Sequence, residues 1–312
     1  MLSLTILSDL ASTYNSKPWQ VKISKQVGDA LHERKDWLGA RWISPRDAEG
    51  RNVKLLDYAC GTGAVTQALG SYVHTIRGID ISENMVSHFN EAARSSGLSE
   101  LQANAVVGDL LGATVPSHLN TPDYYDFDIA AIGLGFHHFE DPALAARRLT
   151  ERLKPATGVL VIVDFLPFEP SDLAKDPKYS DMQHTIKHNG FTSAGLKRLF
   201  EQAGLEDFDF VTLPEQAVME LKDGTKKRTL FIAKGRRAPT AMGKFWNWVG
   251  GVQDAVSGQM EMRADARPNE AMAPRKDENL AEGGRMMPRA DEASGKAKLV
   301  AQRKDEPFKK EQ

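Results

Sequence analysis

The stretch LLDYACGTGAVTQAL, residues 55–69, combines an acidic side chain with two closely spaced glycines. Gly61 and Gly63 allow the backbone to turn sharply and to approach a ligand where any side chain would collide. Asp57 precedes them at the end of an apolar run, and a helical pattern follows them. This order of strand, acid, glycine turn and helix predicts a site for a nucleotide-type ligand.

The negative charge of Asp57 distinguishes between the ligands that use such a turn. A dinucleotide places its pyrophosphate at the N-terminus of the following helix, where a carboxylate would repel it. Thr66 also occupies the position of the third glycine in the dinucleotide pattern GxGxxG. A cationic ligand is better suited, and S-adenosylmethionine (SAM) carries both an ammonium and a sulfonium group. The sequence therefore favours SAM, with a dehydrogenase as a minor alternative.

Two further acids end the next two apolar runs. Asp80 in GIDIS can accept hydrogen bonds from both hydroxyls of a ribose. Asp109 in VVGDLL can accept from an adenine amino group, while the amide of Leu110 faces the ring. The predicted cofactor-binding set also includes Ala59 and Ile81, and ordinary turn residues at strand ends remain the alternative interpretation.

Histidines are the candidate proton acceptors, because methyl transfer to oxygen or nitrogen requires removal of a proton from the acceptor. His137 and His138 follow the fourth apolar run, and His184 and His188 follow the fifth. Structural hydrogen bonding is an equally valid reading of the first pair. The second pair has a spacing that also serves metal ligands, but the sequence supplies no further ligands and predicts no metal site.

The segment between residues 165 and 191 is the natural place for substrate-specific side chains. Its aromatic and apolar residues, together with one phenylalanine from the preceding loop, could line an apolar pocket. Packing in the core is the alternative for each of them. The candidate substrate-binding residues are Phe136, Phe165, Phe168, Met182 and Phe191.

The elements that position these residues follow from hydrophobic patterning. Short apolar runs alternate with helical patterns, which is typical of a doubly wound α/β sheet covered on both faces. The five runs are residues 53–59, 74–81, 103–111, 126–135 and 158–166, and two more at 205–213 and 228–235 close the sheet. Ser82, Asp141 and Thr192 are predicted to cap helices.

The chain divides into three predicted parts. Residues 1–50 form a helical lid on the catalytic domain, with Ile23, Val27, Ala30 and Leu31 on one helical face. Residues 51–235 form the SAM-binding domain. Residues 236–312 have few strong apolar positions and are predicted to be mostly disordered, with a short helix near 244–257 that could contact a protein partner.

Composition restricts the partners and the compartment. A single cysteine, Cys60, excludes an internal disulfide, and a net charge of -2 gives no overall attraction for nucleic acid. No apolar run approaches the roughly 20 residues that a membrane-spanning helix needs. We therefore expect a cytoplasmic protein with a small-molecule substrate, no nucleic acid partner and no stable membrane insertion.

Five motifs together resemble the class I SAM-dependent methyltransferases, over about residues 10–235. They are DYACGTG, GIDIS, GDLL, GLGFHHFEDP and RLKPATGVLVIVDF. The resemblance implies a Rossmann-like, seven-stranded sheet whose last strand is antiparallel. It implies that Asp57, Gly61 and Gly63 bind the methionine moiety, that Asp80 binds ribose, and that Asp109 contacts adenine. In STYNSKPWQ, Tyr14 and Trp19 resemble the aromatic segment that covers the cofactor.

The expected reaction is methyl transfer to an oxygen, nitrogen or carbon atom of a small, moderately apolar molecule, as in secondary metabolism. A protein methyltransferase and a non-catalytic SAM-binding module are alternatives. A quinone C-methyltransferase is a further alternative, but those enzymes resemble one another in a Gly-x-Arg-Asn type segment after the fourth strand. This chain has GFHHFED at that point, which argues against a quinone.

Overall fold

The structure is a computed structural model that describes residues 17–44, 51–169, 186–221 and 224–240, all within the unit Met1–Ser257. The predicted tail helix near 244–257 lies outside these ranges. The strands are β1 (Lys54–Tyr58), β2 (Thr75–Asp80), β3 (Ala103–Val107), β4 (Ile129–Gly133), β5 (Val159–Phe165), β6 (Leu205–Leu221) and β7 (Gly224–Arg237). The α-helices of the described ranges are α1 (Pro18–Glu33), α2 (Lys35–Leu38), α3 (Ala64–Leu69), α4 (Glu83–Ser95), α5 (Pro142–Thr150) and α6 (Ser193–Gln202).

The strands form one seven-stranded sheet in the order β3-β2-β1-β4-β5-β7-β6. The first five strands pair in parallel, and β7 pairs antiparallel with both β5 and β6. The predicted doubly wound α/β sheet with an antiparallel last strand is thus confirmed. The strand order reverses between β1 and β4, and in open α/β sheets ligands bind at the carboxyl ends of the strands beside such a reversal.

Burial on both faces of the sheet explains the nearly continuous apolar runs. Every residue of β5 is buried, and successive residues contribute to opposite hydrophobic clusters: Val161 to one and Ile162 to the other. The same alternation holds in β1, where Leu55 and Leu56 belong to different clusters. Side chains of a strand alternate between faces, so neighbouring residues at a strand end serve different sides of the site.

Three helices begin where the sequence predicts. The hydroxyl of Ser82 accepts a hydrogen bond from the amide of Met85 at 3.4 Å. The carboxylate of Asp141 accepts from Leu144 at 2.9 Å, and the hydroxyl of Thr192 accepts from the third residue after it at 3.1 Å. These caps satisfy amides that have no partner within the first helical turn. The predicted caps are confirmed.

Helix α1 buries the predicted face of Ile23, Val27, Ala30 and Leu31, together with Gln20. It packs against α3 and β6, and the side-chain amide of Gln26 donates to the carbonyl of Glu215 at 2.7 Å. The placement of α1 beside α3 brings it next to the glycine turn, while its role as a lid stays a prediction. No helix in the described ranges is long and apolar enough to cross a membrane.

Strands β6 and β7 are much longer than the patterns at 205–213 and 228–235 predict. The ladder shifts register between Thr212 and Gln216, where Pro214 has no amide hydrogen to donate. Beyond this irregularity the pairing resumes, with Ala217 and Met219 buried and their neighbours less so. Because a proline and polar residues interrupt the apolar pattern, that pattern does not predict the second half of β6.

The segment 186–191, here called the return segment, is hydrogen-bonded to residues at or just after the ends of β4 and β5. The amides of Lys187 and His188 both donate to the carbonyl of His137, at 3.0 and 3.1 Å, and the amide of Phe191 donates to the carbonyl of Phe165 at 2.9 Å. Gly190 has a φ of +84°, and a Cβ there would lie 2.3 Å from the carbonyl oxygen of Leu166. Only glycine fits this conformation and this approach.

Gly190→Ala should therefore lower the free energy of unfolding by about 3 kcal/mol, from left-handed strain plus steric overlap. Gly204→Ala is the matched control, because Gly204 has a φ of +83° but a Cβ there would have no atom within 4 Å. Its cost should be only about 1 kcal/mol. Equilibrium unfolding in urea measures both, and equal losses would contradict the close approach at Gly190.

Candidate functional site

The glycine turn adopts left-handed backbone conformations at three positions. Ala59, Gly61 and Gly63 have φ angles of +54°, +51° and +92°. A Cβ at Gly63 would lie 3.2 Å from the ring of Phe89, whereas no atom lies within 4 Å of a Cβ position at Gly61. Gly63 is thus required for packing against α4. Gly61 borders open space, as a backbone that receives a ligand must.

Asp57 is buried beneath this turn, and its two carboxylate oxygens have different surroundings. Oδ2 accepts hydrogen bonds from the amide and the hydroxyl of Thr66, at 3.2 and 2.8 Å. Oδ1 is buried without any hydrogen-bond partner. Burial raises the pKa of Asp57 to about 7; the bonds from Thr66 oppose this rise, and the charge of Asp80 adds to it. A buried acceptor without a donor is costly, and a cationic ligand would remove that cost.

Asp80 holds the turn from the neighbouring strand. Its Oδ2 accepts from the amide of Gly61 at 2.9 Å, and its Oδ1 accepts from the amide of Ser82 at 3.0 Å. Burial raises the pKa of Asp80, although these backbone amides oppose the rise. Each oxygen retains a second lone pair for a hydroxyl donor. Ile81, which follows it, is 44% exposed and offers apolar surface at the strand end.

Asp109 belongs to a small network that includes a residue not predicted from the sequence. The hydroxyl of Tyr58 donates to Oδ1 of Asp109 and accepts from the amide of Leu110, both at 3.2 Å. The amide of Leu111 also donates to Oδ1, at 2.7 Å. Burial raises the pKa of Tyr58 well above its ordinary range. Since the amide of Leu110 already has an acceptor, its predicted contact with adenine stays a prediction.

Trp19 is half-buried and packs against the hydrophobic cluster that contains Val161. Tyr14, its predicted companion over the cofactor, lies outside the described residues. Gln20, next to Trp19 on α1, has a buried side-chain oxygen without a hydrogen-bond partner. The sequence gives no signal for this second unpartnered acceptor.

His137 is joined to a buried carboxylate at the end of β5. Its Nδ1 lies 2.8 and 3.1 Å from the two oxygens of Asp164, and its amide donates to Oδ2 at 3.0 Å. Asp164 is fully buried and His137 is 5% exposed. A carboxylate acceptor fixes the tautomer with hydrogen on Nδ1, so Nε2 carries the lone pair. Nε2 has no hydrogen bond to any of the described residues.

The other three predicted histidines are placed differently. His138 is exposed, and its ring centroid lies 4.0 Å from that of His137. His188 belongs to the return segment, which is not helical, and its Nε2 is buried without a hydrogen-bond partner. His184 lies outside the described residues, as does Met182. Within the described ranges, no three His, Cys, Asp or Glu side chains are grouped as a metal site.

The predicted substrate-binding aromatics fall into two groups. Phe136 is fully buried, and its ring centroid lies 4.9 Å from that of Phe191 in the hydrophobic cluster behind His137. Phe165 contacts the ring of His137, with centroids 5.5 Å apart, and lies 6.1 Å from Phe168. Phe165 and Phe168 are therefore the aromatic neighbours of the histidine, while Phe136 and Phe191 support the core.

Asp164 and Tyr58 are the side chains of this site that the sequence interpretation missed. Asp164 ends the fifth apolar run, just as Asp57, Asp80 and Asp109 end earlier ones. The same rule applied to VIVDF would have identified it. Tyr58 follows Asp57 and points to the opposite face of the sheet, so only the alternation of side chains along β1 could have indicated its role.

Comparison with known proteins shows the family to which the chain belongs. A family model described as a methyltransferase domain matches residues 28–208. An uncharacterised methyltransferase of Schizosaccharomyces pombe is 29% identical over 167 residues, which cover 51% of this chain and 55% of that protein. A demethylmenaquinone methyltransferase of Bacillus cytotoxicus is 28% identical over 178 residues, covering 49% of this chain and 70% of that protein.

Among solved structures, the YcgJ protein of Bacillus subtilis is 16% identical, with a TM-score of 0.47, and the match covers 69% of this chain and 99% of that one. The chain spans about half the length of the fission-yeast relative, at 55%. The matched domain covers more than half of the chain, and within it lie the acids at the ends of β1, β2 and β3. The chain belongs to the class I SAM-dependent methyltransferase family.

Proposed function

We propose that this protein transfers a methyl group from SAM to an oxygen or nitrogen atom of a small, moderately apolar molecule. The observation that carries the proposal is the bond between Nδ1 of His137 and the fully buried Asp164. This bond leaves Nε2 as a proton acceptor at the carboxyl end of the sheet. An oxygen or nitrogen acceptor needs such a group, and Nε2 has no hydrogen bond to any of the described residues.

The residues at the glycine turn fit SAM on two observations. Oδ1 of Asp57 is buried without a donor, and the space beside Gly61 is open. Asp57 would hold the cationic methionine end, Asp80 the ribose hydroxyls, and Asp109 with Ile81 the adenine, while Trp19 lies on the helix beside the turn. When bound, SAM supplies a methyl group on a positively charged sulfur that leaves readily.

The protein's own task is then to orient the acceptor and to take its proton. Nε2 of His137 accepts the proton from the acceptor's hydroxyl or amine as that atom becomes bonded to the methyl carbon. Asp164 keeps the imidazole in the required tautomer and stabilises the positive charge that develops on it. The burial of both groups excludes water, which strengthens this charge interaction.

A quinol is the second candidate acceptor. The supporting observation is the 28% identity to the demethylmenaquinone methyltransferase of Bacillus cytotoxicus. After β4 this chain has Phe136-His137-His138, whereas the quinone enzymes share a Gly-x-Arg-Asn type segment there. This difference argues against a quinol. Labelled SAM is tested with menadiol, a reduced naphthoquinone, and with a panel of phenols and amines; label on the ring carbon of menadiol, rather than on an oxygen, distinguishes the quinol enzyme.

Asp57→Asn should weaken SAM binding at pH 8 by at least about tenfold, because the cationic ligand loses its buried counter-charge. In the wild type, affinity should fall as the pH is lowered through about 7, where the carboxyl takes up a proton. Isothermal titration calorimetry at several pH values measures both effects. Asp207→Asn, at a carboxylate that is 73% exposed, is the control and should bind SAM like the wild type.

Without ligand, the same carboxyl should make stability depend on pH in the opposite sense. The folded state holds the proton of Asp57 up to about pH 7, whereas the unfolded chain releases it near 3.8. Between these values the free energy of unfolding should fall with rising pH, by up to about 1.4 kcal/mol per unit. The difference between wild type and Asp57→Asn isolates this contribution in urea unfolding. A difference that does not vary with pH would contradict the raised pKa.

His137→Ala should reduce kcat by roughly 10²- to 10⁴-fold while leaving SAM affinity unchanged, because it removes the proton acceptor alone. Added imidazole should restore part of the rate, which it would not do for a structural residue. Asp164→Asn should cause a loss of similar order, since the amide favours the wrong tautomer. The rates are measured with the best acceptor of the phenol and amine panel.

His88→Gln is the control for these variants, because His88 is an exposed residue of α4 paired with Glu91. It should keep the wild-type rate. Full activity of His137→Ala would mean that no proton is removed by this residue, and would favour a carbon acceptor. Absence of transfer to every acceptor, with SAM bound, would favour the non-catalytic alternative.

A further inference from the structure

Arg228 of β7 is a charged group near His137 that neither cofactor binding nor proton transfer uses. The central carbon of its guanidinium lies 3.5 Å from the ring centroid of Phe168 and 5.4 Å from that of Phe165. The residue is half-buried. Among the described residues its side chain has no hydrogen bond and no ion pair, so its only close partners there are the two aromatic rings.

Three other arginines that are partly or fully withdrawn from solvent have acceptors for their donors. Arg152 donates to the carbonyls of Leu119 and Tyr124, at 2.8 and 2.9 Å. Arg77 is paired with the carboxylate of Asp123, and Arg236 donates to Asp207 and to two carbonyls. The fold supplies acceptors to these three arginines, whereas the described residues supply none at Arg228.

The rings satisfy only part of what the guanidinium requires. A ring face attracts the positive charge, but the five N–H donors lie in the guanidinium plane and need acceptors there. Burial lowers the pKa of Arg228, which reflects the cost of withdrawing its charge from water, and the negative charge of Asp164 opposes that effect. A flat guanidinium over the ring of Phe168, with no acceptor for its N–H edge among the described residues, matches a planar anion that binds in the same plane.

The position of Arg228 relates it to the proton acceptor. The next residue of β7, Thr229, accepts a hydrogen bond from the amide of Leu166 at 2.9 Å, which places Arg228 just beyond the end of β5. Phe165 has the ring of His137 at 5.5 Å, between centroids, and the guanidinium of Arg228 at 5.4 Å. The base and the cation therefore both lie near one phenylalanine and are no further apart than the sum of these two distances, which a single small molecule spans.

We propose that Arg228 binds the carboxylate of the methyl acceptor, so that the substrates are small aromatic or aliphatic acids that also carry a hydroxyl or an amine. This inference rests on the proposed methyl transfer and adds the class of acceptor. Phe165 and Phe168 contact the apolar part of the acid, Arg228 holds its carboxylate in a bidentate arrangement, and Nε2 of His137 faces the reacting atom.

Binding is tested without turnover by nuclear magnetic resonance of the arginine Nε–H groups, on protein saturated with S-adenosylhomocysteine. The signal that is missing from the Arg228→Lys spectrum identifies Arg228. Benzoate should shift this signal saturably, and its neutral analogue benzamide should not. Phenyl phosphate is the second anion, and a larger saturable shift than with benzoate would overturn the assignment of a carboxylate in favour of a phosphate. No saturable shift with either anion would overturn the site itself.

Turnover gives an independent test with a matched pair, 4-hydroxyphenylacetate and 4-hydroxyphenylacetamide. Wild-type kcat/KM should favour the acid by at least about tenfold, as expected for a charge-assisted bidentate contact. Arg228→Met keeps an apolar stem on Phe168 and should bring the ratio near one, with Arg228→Lys in between. Arg94→Met, at an exposed position of α4, should keep the wild-type ratio.

These outcomes separate the two proposals. If the protein does not bind S-adenosylhomocysteine, the proposed function fails, whatever the anions do. If it binds the cofactor product but Arg228 does not respond to anions, only the acceptor class fails. If Arg228→Met lowers stability yet leaves the acid preference intact, the arginine merely balances the charge of Asp164, and the inference is wrong.

Discussion

The buried carboxylate of Asp57 is the interaction on which the rest of the site depends. One oxygen holds the first turn of α3 through Thr66, and the other is withdrawn from water without a donor. The same side chain thus fixes the helix that follows the glycine turn and leaves one strong acceptor unsatisfied beneath that turn. Its raised pKa expresses this conflict between burial and charge. Burying a carboxylate oxygen without a donor raises the free energy of the folded protein, and a bound cation would lower it.

The parallel sheet explains why acids that are distant in sequence act together. Parallel strands bring their carboxyl ends to one edge, so Asp57, Asp80 and Asp109 arrive there from β1, β2 and β3, and Asp164 arrives from β5. The first two hold the glycine turn and the helix that follows it, the third is bonded to Tyr58 of β1, and the fourth lies across the reversal of strand order, bonded to His137. One topological rule therefore positions both groups of acids, which the proposed function assigns to the donor of the methyl group and to its acceptor.

The sequence predicted those features that depend on neighbours along the chain. The strand runs, the caps at Ser82, Asp141 and Thr192, and the buried face of α1 all follow from local patterns, and all are present. The length of β6 was hidden because a proline and polar residues interrupt its alternation. Proline removes one ladder hydrogen bond, but pairing with β7 resumes beyond it.

Features that depend on contacts between distant parts of the chain could not be predicted from the sequence. Asp164 ends a fully apolar strand, and its partnership with His137 joins residues that only the crossover from β4 to β5 brings together. Arg228 stands among polar residues of a strand end, where nothing in its neighbours marks it as different from Lys226 or Lys227. Its distinction arises from the two phenylalanines on another strand and the loop after it.

The hydrogen bond from the amide of Phe168 to the carbonyl of Asn189, at 3.0 Å, has an evolutionary consequence. It brings together the two ends of the stretch between these residues. Changing the length of a stretch whose ends are held together costs little free energy, because the entropic cost of closing a loop grows only with the logarithm of its length. Insertions and deletions there would therefore leave the bond between His137 and Asp164 and the glycine turn as they are.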